Sequence, residues 1–492
     1  MPKTTFFKAK SVSIALAAIL VSAGASYAQY ADNYNEDVFD QLPDLGSKSA
    51  KYMSEYEAQK LGQAFIRQSR FQQPYVYDPE LVSYVNRLGD RLLEHSDDAD
   101  KDYNFYLINN NAINAFAVPG GHIALHTAIL TKSESESEVA SVLGHEIAHV
   151  TQRHIARQIE GSRNDNIISI GTLLAAVLLG GAEGLQAGAS LGGASILERK
   201  LRYGRAFESE ADSLGIRLLS RAGFDPKAMP RFFKRLLDES RINKSNAPEF
   251  LRSHPLTINR IAESSERIRV YPEAGEQNQE EFFLMQAKAI ANYTKDKVVA
   301  RERFAKAIKN GENTLANRYG YALSMSKNKE YDSARKVFNK LAQDYPDNVS
   351  IHLAQADNEL DANNIDEGLA LLKVLYEKEI AVGNHIVDIY YANALVLTDH
   401  NQEALPILRA ALANEPGEPY LHSLLSRAYA KTGNEMGLYR ERGEAHYLRG
   451  NYTFSIRQFQ RALSLTKSDY ERARIKARIS DVQRELAELK AL

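Results

Sequence analysis

His145 and His149 stand four residues apart in the stretch Val139-Ala140-Ser141-Val142-Leu143-Gly144-His145-Glu146-Ile147-Ala148-His149-Val150. On a helix that spacing projects both imidazoles from one face, about one turn apart, where they can grip a single metal ion. Glu146, beside the first of them, is within reach of a water on that metal. These are the parts of a zinc peptidase. A five-residue pattern also arises by chance, so its surroundings decide its weight. Val139, Val142, Leu143, Ile147 and Val150 form an apolar stripe that would bury such a helix. Ser135, with Glu138 three residues on, predicts a capping box at its start.

A tetrahedral catalytic zinc needs one more protein ligand and an open place for water, and a carboxylate on another helix can supply the ligand. Glu208 and Asp212, in Arg202-Tyr203-Gly204-Arg205-Ala206-Phe207-Glu208-Ser209-Glu210-Ala211-Asp212-Ser213-Leu214-Gly215, lie at i and i+4 and share a face. If Glu208 binds the metal, Asp212 can accept a hydrogen bond from the other nitrogen of a ligand histidine and fix its tautomer. The plain alternative is a solvated helix face on which Arg205 pairs with Glu208. His154, nine positions after His145, would point away from the site on a continuous helix. His122 and His126 read as structural residues of a strand.

The elements that must hold these residues can be read on either side. Apolar spacing predicts helices from Ser54 to Ser69 and from Pro79 to His95, expected to pack around the metal helix. Tyr103 to Ile108, Ile113 to Val118 and His122 to His126 predict short strands, separated by Asn109-Asn110-Asn111 and by Pro119-Gly120-Gly121. An edge of such a sheet can pair with an extended substrate and hold a peptide bond over the metal.

The chain of 492 residues is too long for one core and should hold two or three domains. Residues 1–28 read as a secretory signal: Lys3, Lys8 and Lys10 precede the apolar run Val12 to Val21, and Ser26-Tyr27-Ala28 offers small residues for cleavage. The apolar run is shorter than the roughly 20 residues of a membrane span, which argues against a retained anchor. Loss of the three lysines would take the formal net charge from −2 to −5, a mildly acidic protein with no case for nucleic-acid binding. With no cysteine, disulfides and thiol nucleophiles are excluded. An acidic lead-in over 29–53 should follow the signal.

Between Asn164 and Glu198 there is no Lys or Arg, and residues 167–181 are apolar. Fifteen helical residues reach only about 22 Å, short of a hydrocarbon core of roughly 30 Å. A buried helix, a mobile lid, and a patch that meets a membrane or an unfolded client are all compatible with this segment.

His145-Glu146-Ile147-Ala148-His149 with Glu208-Ser209-Glu210-Ala211-Asp212 resembles the gluzincin metalloproteases that include the CAAX prenyl protease and the HtpX-type quality-control proteases. The likeness covers roughly residues 55–270. It implies a zincin-type α+β domain with one zinc ion per chain held by His145, His149 and Glu208, and Glu146 as the catalytic base. It also implies that the strand Asn114-Ala115-Phe116-Ala117 faces the metal, and it matches His254-Pro255-Leu256-Thr257-Ile258-Asn259-Arg260. Proline holds His254 in an extended or turn conformation, and Thr257 can cap a helix running through Arg260 to Ile268. The resemblance suggests that His254 sits over the metal, either stabilising an oxyanion or occupying the water's place as a latch. Many relatives carry several transmembrane helices, whereas this chain has only its export signal and the short stretch 167–181.

After residue 271 a linker over 272–281 leads into helices with an internal period. Ala300, Ala334 and Gly368 are spaced by 34 and each is followed four residues later by Phe304, Phe338 or Leu372; Ala404 with Leu408 continues after 36. Pro346 and Pro416 fall twelve residues after Ala334 and Ala404. This is tetratricopeptide spacing over 282–492. Ser455 comes 51 residues after Ala404, one and a half periods, which predicts an extra helix near Leu421 to Lys431 and altered packing there. His352, His385, His400, His422 and His446 show no ligand spacing. The fold expected is therefore mainly α, a metalloprotease domain over 54–271 followed by an α-solenoid. An exported gluzincin with such an array resembles periplasmic members of the family, which implies unfolded or stalled outer-membrane β-barrel proteins as clients and their assembly machinery as partner. The competing expectation is a periplasmic chaperone or scaffold with a latched metal site.

Overall fold

The computed structural model describes residues 53–161, 204–242, 248–272, 279–380 and 383–491. The export signal, nearly all of the lead-in, the apolar stretch 167–181 and most of the 272–281 linker lie outside them. Among the described residues no helix is long and apolar enough to cross a membrane.

The chain begins with α1 (Glu55–Gln72) and α2 (Pro79–Leu93). Ser54 and Glu57 form a reciprocal capping box on α1, and Asp78 caps α2 ahead of a proline in its first turn. Three strands follow, β1 (Asn104–Ile108), β2 (Ala115–Val118) and β3 (His122–His126). Their order is β1-β3-β2, with β1 parallel and β2 antiparallel to β3. Gly120 and Gly121, at φ +82° and +77°, make the turn that folds β3 back on β2. β2 is thus an edge strand.

After α3 (Thr127–Lys132) comes the histidine helix α4 (Glu136–Thr151), then α5 (His154–Gly161), α6 (Arg205–Arg221), α7 (Ala228–Ile242), the short α8 (Phe250–Ser253) and α9 (Ile258–Arg267). α4 is buried on nearly every side and packs against α2, β2, α6 and α7. The first helix departs from expectation: α1 packs on the sheet, where Phe65 and Ile66 meet Val118. The start of α4 departs too. Ser135 occupies the cap position, yet its side chain makes no cap bond and its Oγ is buried without a partner. Glu138 turns instead to Arg235, 2.8 Å from its Nη1. A guanidinium at that distance outcompetes a lone backbone N–H for the carboxylate.

Twelve helices complete the described chain: α10 (Gln279–Tyr293), α11 (Lys297–Lys309), α12 (Leu315–Lys327), α13 (Tyr331–Asp344), α14 (Val349–Asp361), α15 (Ile365–Glu379), α16 (His385–Leu397), α17 (Asn401–Asn414), α18 (Pro419–Lys431), α19 (Glu435–Leu448), α20 (Tyr452–Leu465) and α21 (Asp469–Ala491). Each packs on the next, as a repeat array requires. Ala300, Ala334, Gly368 and Ala404 fall on α11, α13, α15 and α17, all buried. Two helices, α18 and α19, separate α17 from the helix bearing Ser455, so the extra helix is present. The apolar core divides there, one cluster ending at Leu438 and another beginning at Tyr452.

The array holds the preceding helices and sheet at both ends. One apolar core runs from α2 and α4 through α10 to Ala354. Lys288 of α10 is buried against Glu80, lies 3.3 Å from Asp78, and donates to the Tyr390 hydroxyl at 2.6 Å. At the far end, Arg67 of α1 donates to Glu485 at 3.0 Å, and Gly450 at φ +70° lets the repeat backbone pass close to the Arg67 carbonyl.

Candidate metal centre

α4 and α6 approach closely because glycines meet at their crossing. A Cβ on Gly144 would lie 3.3 Å from the Gly215 carbonyl, and one on Gly215 would crowd the His145 backbone nitrogen at 3.1 Å. That approach brings the acidic face of α6 to the histidine face of α4. The Nε2 atoms of His145 and His149 lie 3.0 Å apart. Glu208 places Oε1 3.5 Å from His149 Nε2 and Oε2 3.6 Å from His145 Nε2. Asp212 stands one turn on, with Oδ1 3.0 Å from His145 Nδ1. A proton on Nδ1 would face that carboxylate and leave Nε2 as the lone pair a metal needs.

His254 closes the cluster. Its ring stacks on Phe250, with Nδ1 3.1 Å from Glu208 Oε1 and 3.3 Å from His145 Nε2. Thr257 caps α9 by accepting from the Arg260 N–H at 3.2 Å, as the sequence suggested. One ligand atom from each of His145, His149, Glu208 and His254 lies within 4.8 Å of the others, and all four residues are buried. Zinc with arms of about 2.0–2.1 Å has tetrahedral edges of roughly 3.3 Å, which matches the separations found. Nitrogen lone pairs this close repel one another unless a cation lies between them, so the donor set fits a metal ion.

Glu146 is buried beside the cluster, 3.4 Å from His254 Nε2, with Oε1 free of any hydrogen bond. Burial raises its carboxyl above the ordinary range, and the neighbouring His254, His145 and Ala117 backbone offset that only in part. The β2 edge thus lies beside the Glu146 carboxylate. Asn114 precedes that strand with its Oδ1 buried and unpartnered, and Ala115, Phe116 and Ala117 lie within it. Burial also opposes the charge of Glu208, but His254, His145 and His149 hold its carboxyl well below its usual range.

Two further contacts escaped the sequence reading. Arg260 clasps Asp212 with two bonds, of 2.8 and 2.7 Å, and reaches Glu208 Oε2 at 2.7 Å. It lay inside the matched His254–Arg260 segment, so position pointed to it although no partner did. His154 does not point away. The helix breaks at Gln152–Arg153, where Arg153 adopts φ +52°, and the restarted chain brings the His154 ring to 2.7 Å from His149. His122 and His126 stay outside the cluster, bonded to the Tyr106 hydroxyl and the Ala112 carbonyl at 3.0 Å each.

Residues 79–268 match Peptidase family M48. The chain is 33% identical over 454 residues to the β-barrel assembly-enhancing protease of Escherichia coli strain K12, covering 91% of this chain and 92% of that one. It is 35% identical over 455 residues to the putative β-barrel assembly-enhancing protease of Vibrio cholerae, covering 90% and 93%. Over 190 residues it is 32% identical to the mitochondrial metalloendopeptidase OMA1 of Schizosaccharomyces pombe, covering 39% of this chain and 53% of that one. With identity sustained through the peptidase helices and the repeat array alike, the chain belongs to Peptidase family M48 and, within it, to the β-barrel assembly-enhancing proteases, and it is a zinc metallopeptidase.

Proposed function

We propose that this protein is an exported endopeptidase of the periplasm that cleaves unfolded or misassembled outer-membrane β-barrel proteins. In this reading residues 54–271 cut, the segment 272–281 links, and residues 282–492 bind clients or assembly machinery. The observation that carries the catalytic part is the buried convergence of His145, His149, Glu208 and His254 beside the buried Glu146 carboxylate. The client class rests on the names of the two bacterial relatives.

Bound zinc would supply Lewis acidity to the scissile carbonyl and acidity to the attacking water. His145, His149 and Glu208 would hold the ion, with Asp212 and Arg260 steadying those ligands. Glu146 takes a proton from the attacking water and delivers it to the leaving amine, a role suited to a carboxyl raised by burial. The edge of β2 from Asn114 to Ala117 pairs with the extended substrate backbone. His254 would act as a latch, because four protein ligand atoms would fill a tetrahedral zinc and leave no place for water. That arrangement also favours a second reading, a mainly non-proteolytic chaperone whose metal site stays covered.

Glu146→Gln should retain stoichiometric zinc and lose about 10²–10⁴-fold in cleavage of an unfolded β-barrel protein. Cleavage at the wild-type rate would sink the assignment. His254→Ala should raise cleavage of a short peptide; a fall would make His254 a helper rather than a latch. Zinc-loaded protein that cleaves neither in wild-type nor in His254→Ala form would favour the chaperone reading.

A further inference from the structure

A second chain of hydrogen bonds leaves the ligand cluster through His149. Its Nδ1 lies 2.7 Å from Nδ1 of His154. The other nitrogen of His154, Nε2, lies 3.2 Å from Glu210 Oε2, and Arg157 donates to the same oxygen at 2.9 Å. His154 is wholly buried, with its ring stacked on Phe207 at 4.7 Å. Two imidazole nitrogens at 2.7 Å share one proton, so one ring donates and the other accepts. The direction is set at the far end. An ionised carboxylate only accepts, so Glu210 draws the His154 proton onto Nε2 and leaves Nδ1 of the neutral ring as a lone pair. The proton between the rings then sits on His149 Nδ1, and His149 Nε2 is left as the lone pair that faces Glu208 and His145.

We propose that His154, oriented by Glu210, is a positioning residue that fixes the tautomer and ring angle of the metal ligand His149. It does for this ligand what Asp212 does for His145. The inference rests on the metal-site reading above. It also gives α6 a third role in the centre, since Glu208 binds, Asp212 steadies one histidine directly, and Glu210 steadies the other through an intervening imidazole. α5 becomes part of the metal centre because its first residue supplies that ring.

The test uses the full mature chain in a Glu146→Gln background, which prevents self-cleavage, and reads zinc affinity by chelator competition. His154→Phe keeps a ring on Phe207 and removes the acceptor. It should weaken zinc about 10–100-fold, the usual cost of losing an outer partner of a metal ligand, and change the visible absorption of the cobalt-substituted protein. His154→Asn, whose amide oxygen can stand where Nδ1 stood, should recover most of the affinity, and Glu210→Gln should lose less than His154→Phe. A folded His154→Phe with parental zinc affinity and an unchanged cobalt spectrum overturns the proposal. If the Phe variant does not fold, His154→Asn is compared with His154→Ala: tighter zinc in the Asn variant supports the proposal and equal affinity overturns it. A parent that takes up no zinc overturns the metal-site reading, and this proposal with it.

Discussion

Around Lys288, an ammonium and the carboxylates of Asp78 and Glu80 are taken out of water together, with the Tyr390 hydroxyl on the same nitrogen. Around His145, four donors are turned toward a shared point, while Arg260 takes up both oxygens of Asp212 and one of Glu208. Both regions bury charge to a degree that ordinary surfaces never show. The first closes its charges on one another and so ties α10 to α2 and α16. The second leaves lone pairs unreconciled, and only an added cation reconciles them. Burial of ionisable groups therefore does not by itself mark a metal site; what marks it is imidazole nitrogens that converge with no cation of the chain between them, Arg260 reaching only the carboxylates.

The two regions should fail in opposite ways. Lys288→Met leaves Asp78 and Glu80 buried without their cation and should cost about 3–5 kcal/mol of stability in urea denaturation. Peptide cleavage per folded molecule should hold. Glu146→Gln should do the reverse, removing cleavage while moving the denaturation midpoint little. A Lys288→Met protein that loses cleavage without losing stability would tie the junction to the chemistry and break the contrast.

A smaller effect comes from a buried histidine that has neither arrangement. Burial, with Arg70 and Arg67 nearby, lowers His122 to about 4. Its unfolded value is near 6.5, so between about pH 4 and 6.5 the unfolded chain binds the extra proton. The contribution is thus fully present above about pH 6.5 and is lost as pH falls toward 4, up to about 3 kcal/mol. His122→Gln should flatten the acid limb of stability against pH by that amount. An identical limb in the variant would mean that His122 titrates freely in the fold.

Legibility followed the range of the interactions. The His145–His149 pair, the Glu208–Asp212 pair and the 34-residue period are short-range or repeated spacings, and each fell on the helix expected. The extra helix was visible as a broken period between Ala404 and Ser455. The family resemblance contributed His254, which no spacing reached. His154 is misplaced when helical phase is carried across Gln152–Arg153, a break that neither glycine nor proline announces. Lys288 was invisible because its partners lie far along the chain, on α2 and on α16. Nothing local distinguishes a buried lysine of that kind from a solvated one.

The finest contrast of this kind lies in two segments with one pattern. Ser54-Glu55-Tyr56-Glu57 and Ser135-Glu136-Ser137-Glu138 share the Ser-x-x-Glu pattern, yet only the first closes as a capping box, with Glu57 N–H donating to Ser54 Oγ at 3.2 Å and the Ser54 N–H to Glu57 at 2.8 Å. In the second, other contacts take the glutamate away: Arg235 holds both of its oxygens, and the Glu134 N–H donates to one of them at 2.7 Å. Ser54→Ala should therefore cost about 1 kcal/mol, the usual value of an N-cap. Ser135→Ala removes a buried hydroxyl that has no partner, so its effect should be near zero or slightly stabilising. Thermal melts of the two variants measure the difference. Equal losses would mean that the Ser135 hydroxyl does cap α4 in solution, and that the helix bearing both metal histidines is anchored at its start as the sequence alone suggests.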